Sequence, residues 1–410
     1  MAQAEAGRVS GGSIRDPYRL ADVDALRGFA LLGILVVNIG VFASPYYGTG
    51  LADPAFDRPL DHAVLWLVAL LFETKFYLLF SFLFGYSFTL QIAAAERAGA
   101  PFAPRFKRRL LGLALLGAAH AVLLYQGDIL LAYAVLGALL LRWRELEPTR
   151  ALRRAAWLVL ACGAGWLILG VLAAMTPADP ADPAWQQADV AAALAAYRGT
   201  IATTVARHVY EWRASMAFAL ITVQGPCALA MFLAGLAAGR RGLLADSGAH
   251  VRQLRRTARI GWPVGLAGAG VYATLSLPAG SFDGAILGLG IGLLSAPFLT
   301  AAYVATLLLF LRTGPGCRLG AVLAPAGRMA LSNYLLQSLA CAVIFKAYGW
   351  RLIGQVSPLA VLGIAAALFA AQLLGSAAWL RRHDYGPVEW LLRALTNAAW
   401  PRWRARAAGR

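Results

Sequence analysis

Of the five histidines, His120 is the one set deep within an apolar run, and it follows Arg109 by 11 residues. Eleven residues is close to three helical turns, so the two share a helix face, with His120 ~16 Å above the arginine at ~1.5 Å per residue. The same spacing links Arg27 to Asn38 in an earlier apolar run. If both runs cross in one direction, Asn38 and His120 lie at similar depth, each above an arginine. Past His120, Tyr125-Gln126-Gly127-Asp128 reads as a tight turn that opens the next helix with an acid. An enclosed neutral imidazole is a general base at neutral pH, and arginines recognise phosphate or carboxylate. Each residue also has a plainer reading: His120 as an interhelical hydrogen bond, Asp128 as a helix cap. A later run supplies Arg328, then Asn333 and Gln337 four apart on one face, where amides also serve to tie helices together. Gln224 precedes Pro226, a kink site, while Glu73 and Lys75 mark an outer interface. His62 begins a run at that interface, and His208, His250 and His383 fall in loops.

The elements that position these residues follow from composition. The chain has 410 residues, 60% hydrophobic and 14% charged, with mean hydropathy +0.63. Soluble domains run ~45–50% apolar and ~25% charged, and one water-soluble core cannot hide this excess. The sequence therefore predicts an all-α polytopic membrane protein, and excludes a soluble enzyme, a fibre or a disordered chain. Ten runs approach the ~20 residues needed to span a bilayer: 26–43, 64–92, 109–125, 129–142, 155–175, 215–239, 260–278, 284–311, 320–346 and 356–380. Glu73-Thr74-Lys75 splits the second into an outer helical segment and a true span from Phe76.

Arginine and lysine number 37 against 20 acids, for a net charge of +17. In a membrane chain this excess reports topology, not nucleic-acid binding, because cations gather in cytoplasmic loops. With the N-terminus inside, 30 of the 37 cations fall on the cytoplasmic side, so both termini are expected there. The outer loop over 176–214 continues as Ala-rich helical sequence, and 381–397 mixes Trp with Arg as an interfacial helix does. Residues 1–18 read as a disordered cytoplasmic tail, 19–397 as a single transmembrane domain and 398–410 as a basic tail. Nothing resembles a cleavable signal. Cys162, Cys227, Cys317 and Cys341 have neither disulfide nor metal spacing, so no metal site is expected.

Several segments together carry a resemblance. Asp24-Ala-Leu-Arg27-Gly28 through Gly33 to Asn38, Lys75-Phe76 through Phe84-Gly85, His120 through Gly127-Asp128 to Tyr133, Gly327-Arg328 through Asn333-Tyr334 to Gln337, and Tyr385-Gly386-Pro387-Val-Glu389-Trp390 resemble the YeiB-like bacterial inner-membrane family, domain of unknown function 418. The resemblance covers Asp24 to about Arg393 and implies a multi-pass protein of the bacterial cytoplasmic membrane. It also implies kinship with transmembrane acyltransferases of the heparan-glucosaminide N-acetyltransferase and acyltransferase-three types. Those move an acyl group from cytoplasmic acyl-CoA to an acceptor, often a sugar. In the latter type the catalytic histidine falls 11 residues after the first-span arginine. This chain has Asn38 there, so that role does not carry over.

An acyltransferase reading follows. Arg27, Arg109 and Arg328 bind the phosphates of acyl-CoA, which is a co-substrate, with no tightly bound cofactor. His120 is the general base toward a hydroxyl or amine of a small-molecule or glycan acceptor. Asp128 orients the imidazole, or Asn38 and Asn333 do so while polarising the thioester. Lys75 and Gln337 complete the expected substrate set. Two alternatives stay open: a transporter of a small anion or lipid-linked metabolite using Glu73, Lys75, His120 and Asp128 as a polar path, and a non-catalytic membrane partner. The transporter lacks support from matching sequence halves.

Overall fold

The computed structural model describes residues 20–176, 181–276 and 282–404. The expected tail over 1–18 and the end of the basic tail lie outside the described residues. Among the described residues fourteen helices follow one another, with no strand. They are α1 (Ala21–Ala43), α2 (Pro59–Leu71), α3 (Lys75–Arg97), α4 (Phe102–Leu123), α5 (Leu130–Arg142), α6 (Pro148–Ala174) and α7 (Ala181–Arg198). Then come α8 (Ile201–Arg240), α9 (Val251–Leu275), α10 (Phe282–Leu311), α11 (Gly314–Arg328), α12 (Ala330–Phe345), α13 (Pro358–Trp379) and α14 (Pro387–Asn397). Each of the ten apolar runs coincides with helix. Among the described residues, six helical stretches are long and apolar enough to cross a membrane, with α2–α3 taken as one, or seven if the bent pair α11–α12 also counts as one span. The other three runs fall short for visible reasons. Cations fill the first turns of α4 and α9, and α5 has only 13 residues, ~20 Å at ~1.5 Å each.

Local chemistry sets the breaks. Thr74 takes a left-handed φ of 66°, a strained conformation for a β-branched residue, and it separates α2 from α3 where the sequence places an interruption. The Ala-rich part of the expected outer loop over 176–214 is helical as the sequence suggests, α7 followed by the first turns of α8, which runs on without a break into the apolar rod. Within that rod Trp212–Met216 and Leu220–Gln224 are π-wound, and Pro226 falls at the start of the regular helix that follows. An extra residue per turn, not a broken helix, accommodates Gln224 and the proline. The run 320–346 is not straight either: α11 and α12 meet at 77°. The interfacial helix begins only at Pro387, since 381–386 is turn.

The bundle is built around α1, whose apolar window is 61% buried against 22% for α6 and α13. Leu26, Leu31, Leu35 and Ile39 are fully enclosed there. Helices close on one another where glycines leave room: a Cβ at Gly85 would run into the Phe232 carbonyl and one at Gly235 into the Phe82 carbonyl, so α3 and α8 touch backbone to backbone. The outer faces of the long helices carry exposed Leu115, Trp157, Ile168, Leu172, Ile221 and Leu374. An apolar exterior of that extent is suited to lipid.

Candidate active site

His120 occupies the last turn of α4, where its carbonyl accepts from the Leu124 and Tyr125 amides, both at 2.9 Å. The chain then reverses through Gln126-Gly127 and returns Asp128 beside the histidine. Asp128 Oδ2 accepts from the Leu131 N–H at 2.8 Å and so caps α5, while Oδ1 lies 2.8 Å from His120 Nδ1. Gly117, one turn below His120, makes this approach possible, because a Cβ there would stand 2.7 Å from Asp128 Oδ2. The two side chains are 1% and 0% exposed. An ionised carboxylate only accepts, so it holds the imidazole proton on Nδ1 and leaves Nε2 a lone pair. Nε2 is enclosed and has no hydrogen-bond partner in the protein.

Aromatic rings wall this pair. Tyr334 of α12 lies 5.0 Å from the imidazole, ring centre to ring centre, and its buried hydroxyl also lacks a partner. Tyr125 meets the imidazole edge-on at 6.0 Å, stacks on Phe42, and donates to Asn38 Oδ1 at 3.3 Å. Asn38 thus stands level with His120, held by a tyrosine and not bonded to the imidazole. At the α4–α5 turn, His208 Nδ1 donates to the Val122 carbonyl, and His208 Nε2 accepts from Lys346 at 2.7 Å. Lys346 also reaches Gln126 Oε1 at 3.3 Å and lies over the rings of Phe42 and Tyr197. Both His208 and Lys346 are fully buried, so α7 and α8 cover this end of the site. The sequence gives no sign of this, since His208 reads there as a loop residue.

At the opposite end, arginines gather. Arg27 bonds Asp24 at 2.8 Å and Ser87 of α3 at 2.6 Å, yet its side chain keeps 26% exposure. Arg109 lies within electrostatic reach of Arg27, Glu389 and Arg393, and its Nε has no hydrogen-bond partner. Arg328 donates to the Asp384 carbonyl at 3.3 Å. Glu389 binds the amides of Leu331 and Ser332 at 2.7 and 3.0 Å and the Ser332 hydroxyl at 2.5 Å, capping the broken start of α12 against its positive end. Glu389 sits in the conspicuous Tyr385–Trp390 segment, but only the 77° bend gives it amides to cap.

Two expected ligand residues are engaged elsewhere, and a third only through its amide nitrogen. Lys75 is buried against the Ala69 carbonyl at 2.7 Å and beside the Tyr272 ring. Its neighbour Glu73 accepts from Tyr47 and, at 2.7 Å, from Tyr272. This is a separate cluster at the α2–α3 break, so Lys75 does not join the arginines. Asn333 donates to the Ala326 carbonyl and to Ser376, and its own carbonyl accepts from Gln372, which ties α12 to α13. Gln337 donates to Gln372 Oε1 at 2.8 Å, leaving its own Oε1 buried and without a partner. Among the described residues, no group of His, Cys, Asp and Glu is placed to hold a metal ion.

The chain is similar to other proteins along nearly its whole length. The family described as protein of unknown function (DUF418) matches residues 238–399. The uncharacterized protein YxaH of Bacillus subtilis (strain 168) is 33% identical over 404 residues, covering 93% of this chain and 95% of that one. The uncharacterized protein YeiB of Escherichia coli (strain K12) is 31% identical over 407 residues, covering 93% and 98%. An uncharacterized 39.9 kDa protein from the amylase 3' region of Bacillus acidopullulyticus is 29% identical over 386 residues, covering 93% and 95%. With an all-helical fold, apolar spans and two such relatives above 30% identity, the chain belongs to the YeiB-like DUF418 family.

Proposed function

We propose that this protein is a membrane acyltransferase that takes an acyl group from cytoplasmic acyl-CoA and delivers it to a sugar or other hydroxyl or amine acceptor. The observation that carries this reading is the His120–Asp128 pair, with Nδ1 held at 2.8 Å and Nε2 enclosed but unbonded. A general base needs one ring nitrogen free to take a proton, and Nε2 is the nitrogen left free here. Arg27 and Arg109, joined by Arg393 and Arg328 at the same end, supply the cations that CoA phosphates require. Gln337 Oε1 is an unspent acceptor for an amide N–H of the pantetheine arm. The proton path is short: the acceptor gives its proton to Nε2 as it attacks the thioester, and Nε2 returns it to the departing CoA thiolate.

The protein crosses the bacterial cytoplasmic membrane ten times with both termini inside, a reading supported by the 30 cations that this orientation places on the inner side. The transporter reading has less to rest on, because Glu73 and Lys75 bond within their own cluster and make no hydrogen bond to His120 or Asp128. The test is transfer of label from [14C]acetyl-CoA in inverted membrane vesicles containing the protein. Label should accumulate in a vesicle-bound or added glycan acceptor above vesicles lacking the protein. Equal labelling in the two preparations rejects the reading.

A further inference from the structure

We propose that the Tyr334 hydroxyl is the oxyanion donor of the reaction, completing a base-and-donor pair with His120; the inference rests on the acyltransferase reading. Two enclosed polar atoms, His120 Nε2 and Tyr334 Oη, make no close hydrogen bond, although the Ile129 backbone lies within interaction range of the hydroxyl, and they belong to rings whose centres are 5.0 Å apart. Burying a hydroxyl without a bond costs ~1–3 kcal/mol, so an orphan of this kind calls for an explanation. Two orphans on touching rings call for one shared explanation. Their chemistry is complementary: Nε2 in the tautomer set by Asp128 only accepts, whereas a neutral phenol donates.

A thioester carbonyl at this place meets both needs. As the acceptor oxygen or nitrogen bonds to the carbonyl carbon, its proton passes to Nε2. The C=O π pair moves onto oxygen, and Tyr334 donates a hydrogen bond to that growing charge. When the oxyanion collapses, the C–S bond breaks and the CoA sulfur recovers the proton from Nε2. Nothing is oxidised or reduced. The backbone holds Tyr334 in position: it lies one turn into α12, whose first amides Glu389 clamps at 2.7 and 3.0 Å. It is also near enough to Asp128 to interact with its charge, so base, orienter and donor occupy one enclosure. Tyr125, the other ring against His120, is already committed to Asn38.

Tyr334→Phe keeps the ring and removes only the hydroxyl. Because that hydroxyl makes no close hydrogen bond, with only the Ile129 backbone in range, the variant should melt close to the wild-type temperature. Its acetyl transfer in inverted vesicles should fall by about 10²–10³ in kcat, the usual loss for one oxyanion donor, with the KM for acetyl-CoA little changed. Isotope-edited infrared spectra of bound [1-13C]acetyl-CoA give a readout that needs no acceptor. The carbonyl band should shift to lower frequency in wild type and return to its solution position in Tyr334→Phe. If acetyl-CoA binds and the band is the same in both proteins, or if Tyr334→Phe keeps wild-type kcat, the assignment to Tyr334 is wrong while His120 can still be the base. If acetyl-CoA does not bind wild type, the underlying reading fails, and this inference with it.

Discussion

Replacing Asp128 by asparagine and by alanine should give two different defects, because the side chain does two jobs with two oxygens. In Asp128→Asn, the amide oxygen can keep the Leu131 N–H bond that caps α5, while the NH2 faces His120 Nδ1. A donor in that place forces Nδ1 to accept, which moves the ring proton to Nε2. Both hydrogen bonds survive and the α5 cap is kept, so the loss of stability is confined to the now unpartnered Nε2–H, ~1–3 kcal/mol at most, yet the free base is gone. Loss of the correct tautomer costs ~10⁴ in kcat in a comparable carboxylate–histidine pair. In Asp128→Ala, the α5 cap is lost at ~1 kcal/mol, and a buried imidazole N–H is left without a partner at ~1–3 kcal/mol. The sum is ~2–4 kcal/mol, enough to lower the melting temperature by several degrees. Thermal melting of detergent-purified protein, run beside acetyl transfer in vesicles, separates the two. Asp128→Asn that stays active, or Asp128→Ala that melts with wild type, would refute the reasoning.

The other predictions concern the arginines, the α12 cap, a helix crossing and topology. Arg27→Ala and Arg109→Ala should each weaken acetyl-CoA binding about tenfold, from loss of one charge-assisted bond, and raising salt should weaken wild type as well; calorimetry that finds one affinity throughout opposes this. Glu389→Ala should destabilise the protein by roughly 1–2 kcal/mol by uncapping α12, read as a lower melting temperature, with Glu389→Gln in between. Gly85→Val should block folding, seen as loss of the monodisperse peak on size exclusion, because its side chain collides with the Phe232 backbone. In a background without the native cysteines, membrane-impermeant maleimide added to intact cells should label Ala195→Cys and leave Ala245→Cys untouched; the reverse pattern overturns the orientation.

Helix identity was legible because lipid demands continuous apolar runs, and all ten runs coincide with helix. Their exact form was not. Periodicity carries no sign of a 77° bend at Arg328–Met329 or of π turns before Pro226, since both depend on what α12 and α8 pack against. The 11-residue spacing from Arg109 to His120 was readable from helix geometry. The return of Asp128 to His120 was not, because it depends on a four-residue turn and on Gly117 giving way. Lys75, Asn333 and Gln337 show the opposite limit. A polar residue type at membrane depth signals that some partner exists, but the partner can equally be Ala69, Ser376 or Gln372 of the same chain.

The most direct test compares His120→Gln with His120→Ala in the vesicle transfer assay, with acetyl-CoA binding and melting temperature measured on the same preparations. Glutamine can replace a hydrogen bond but cannot take a proton at neutral pH. A general base at position 120 predicts that both variants lose on the order of 10²–10⁴ in transfer while acetyl-CoA still binds and the glutamine variant keeps its stability. Near-wild-type transfer by His120→Gln, with only the alanine variant impaired and unstable, would make His120 a structural tie and contradict the account.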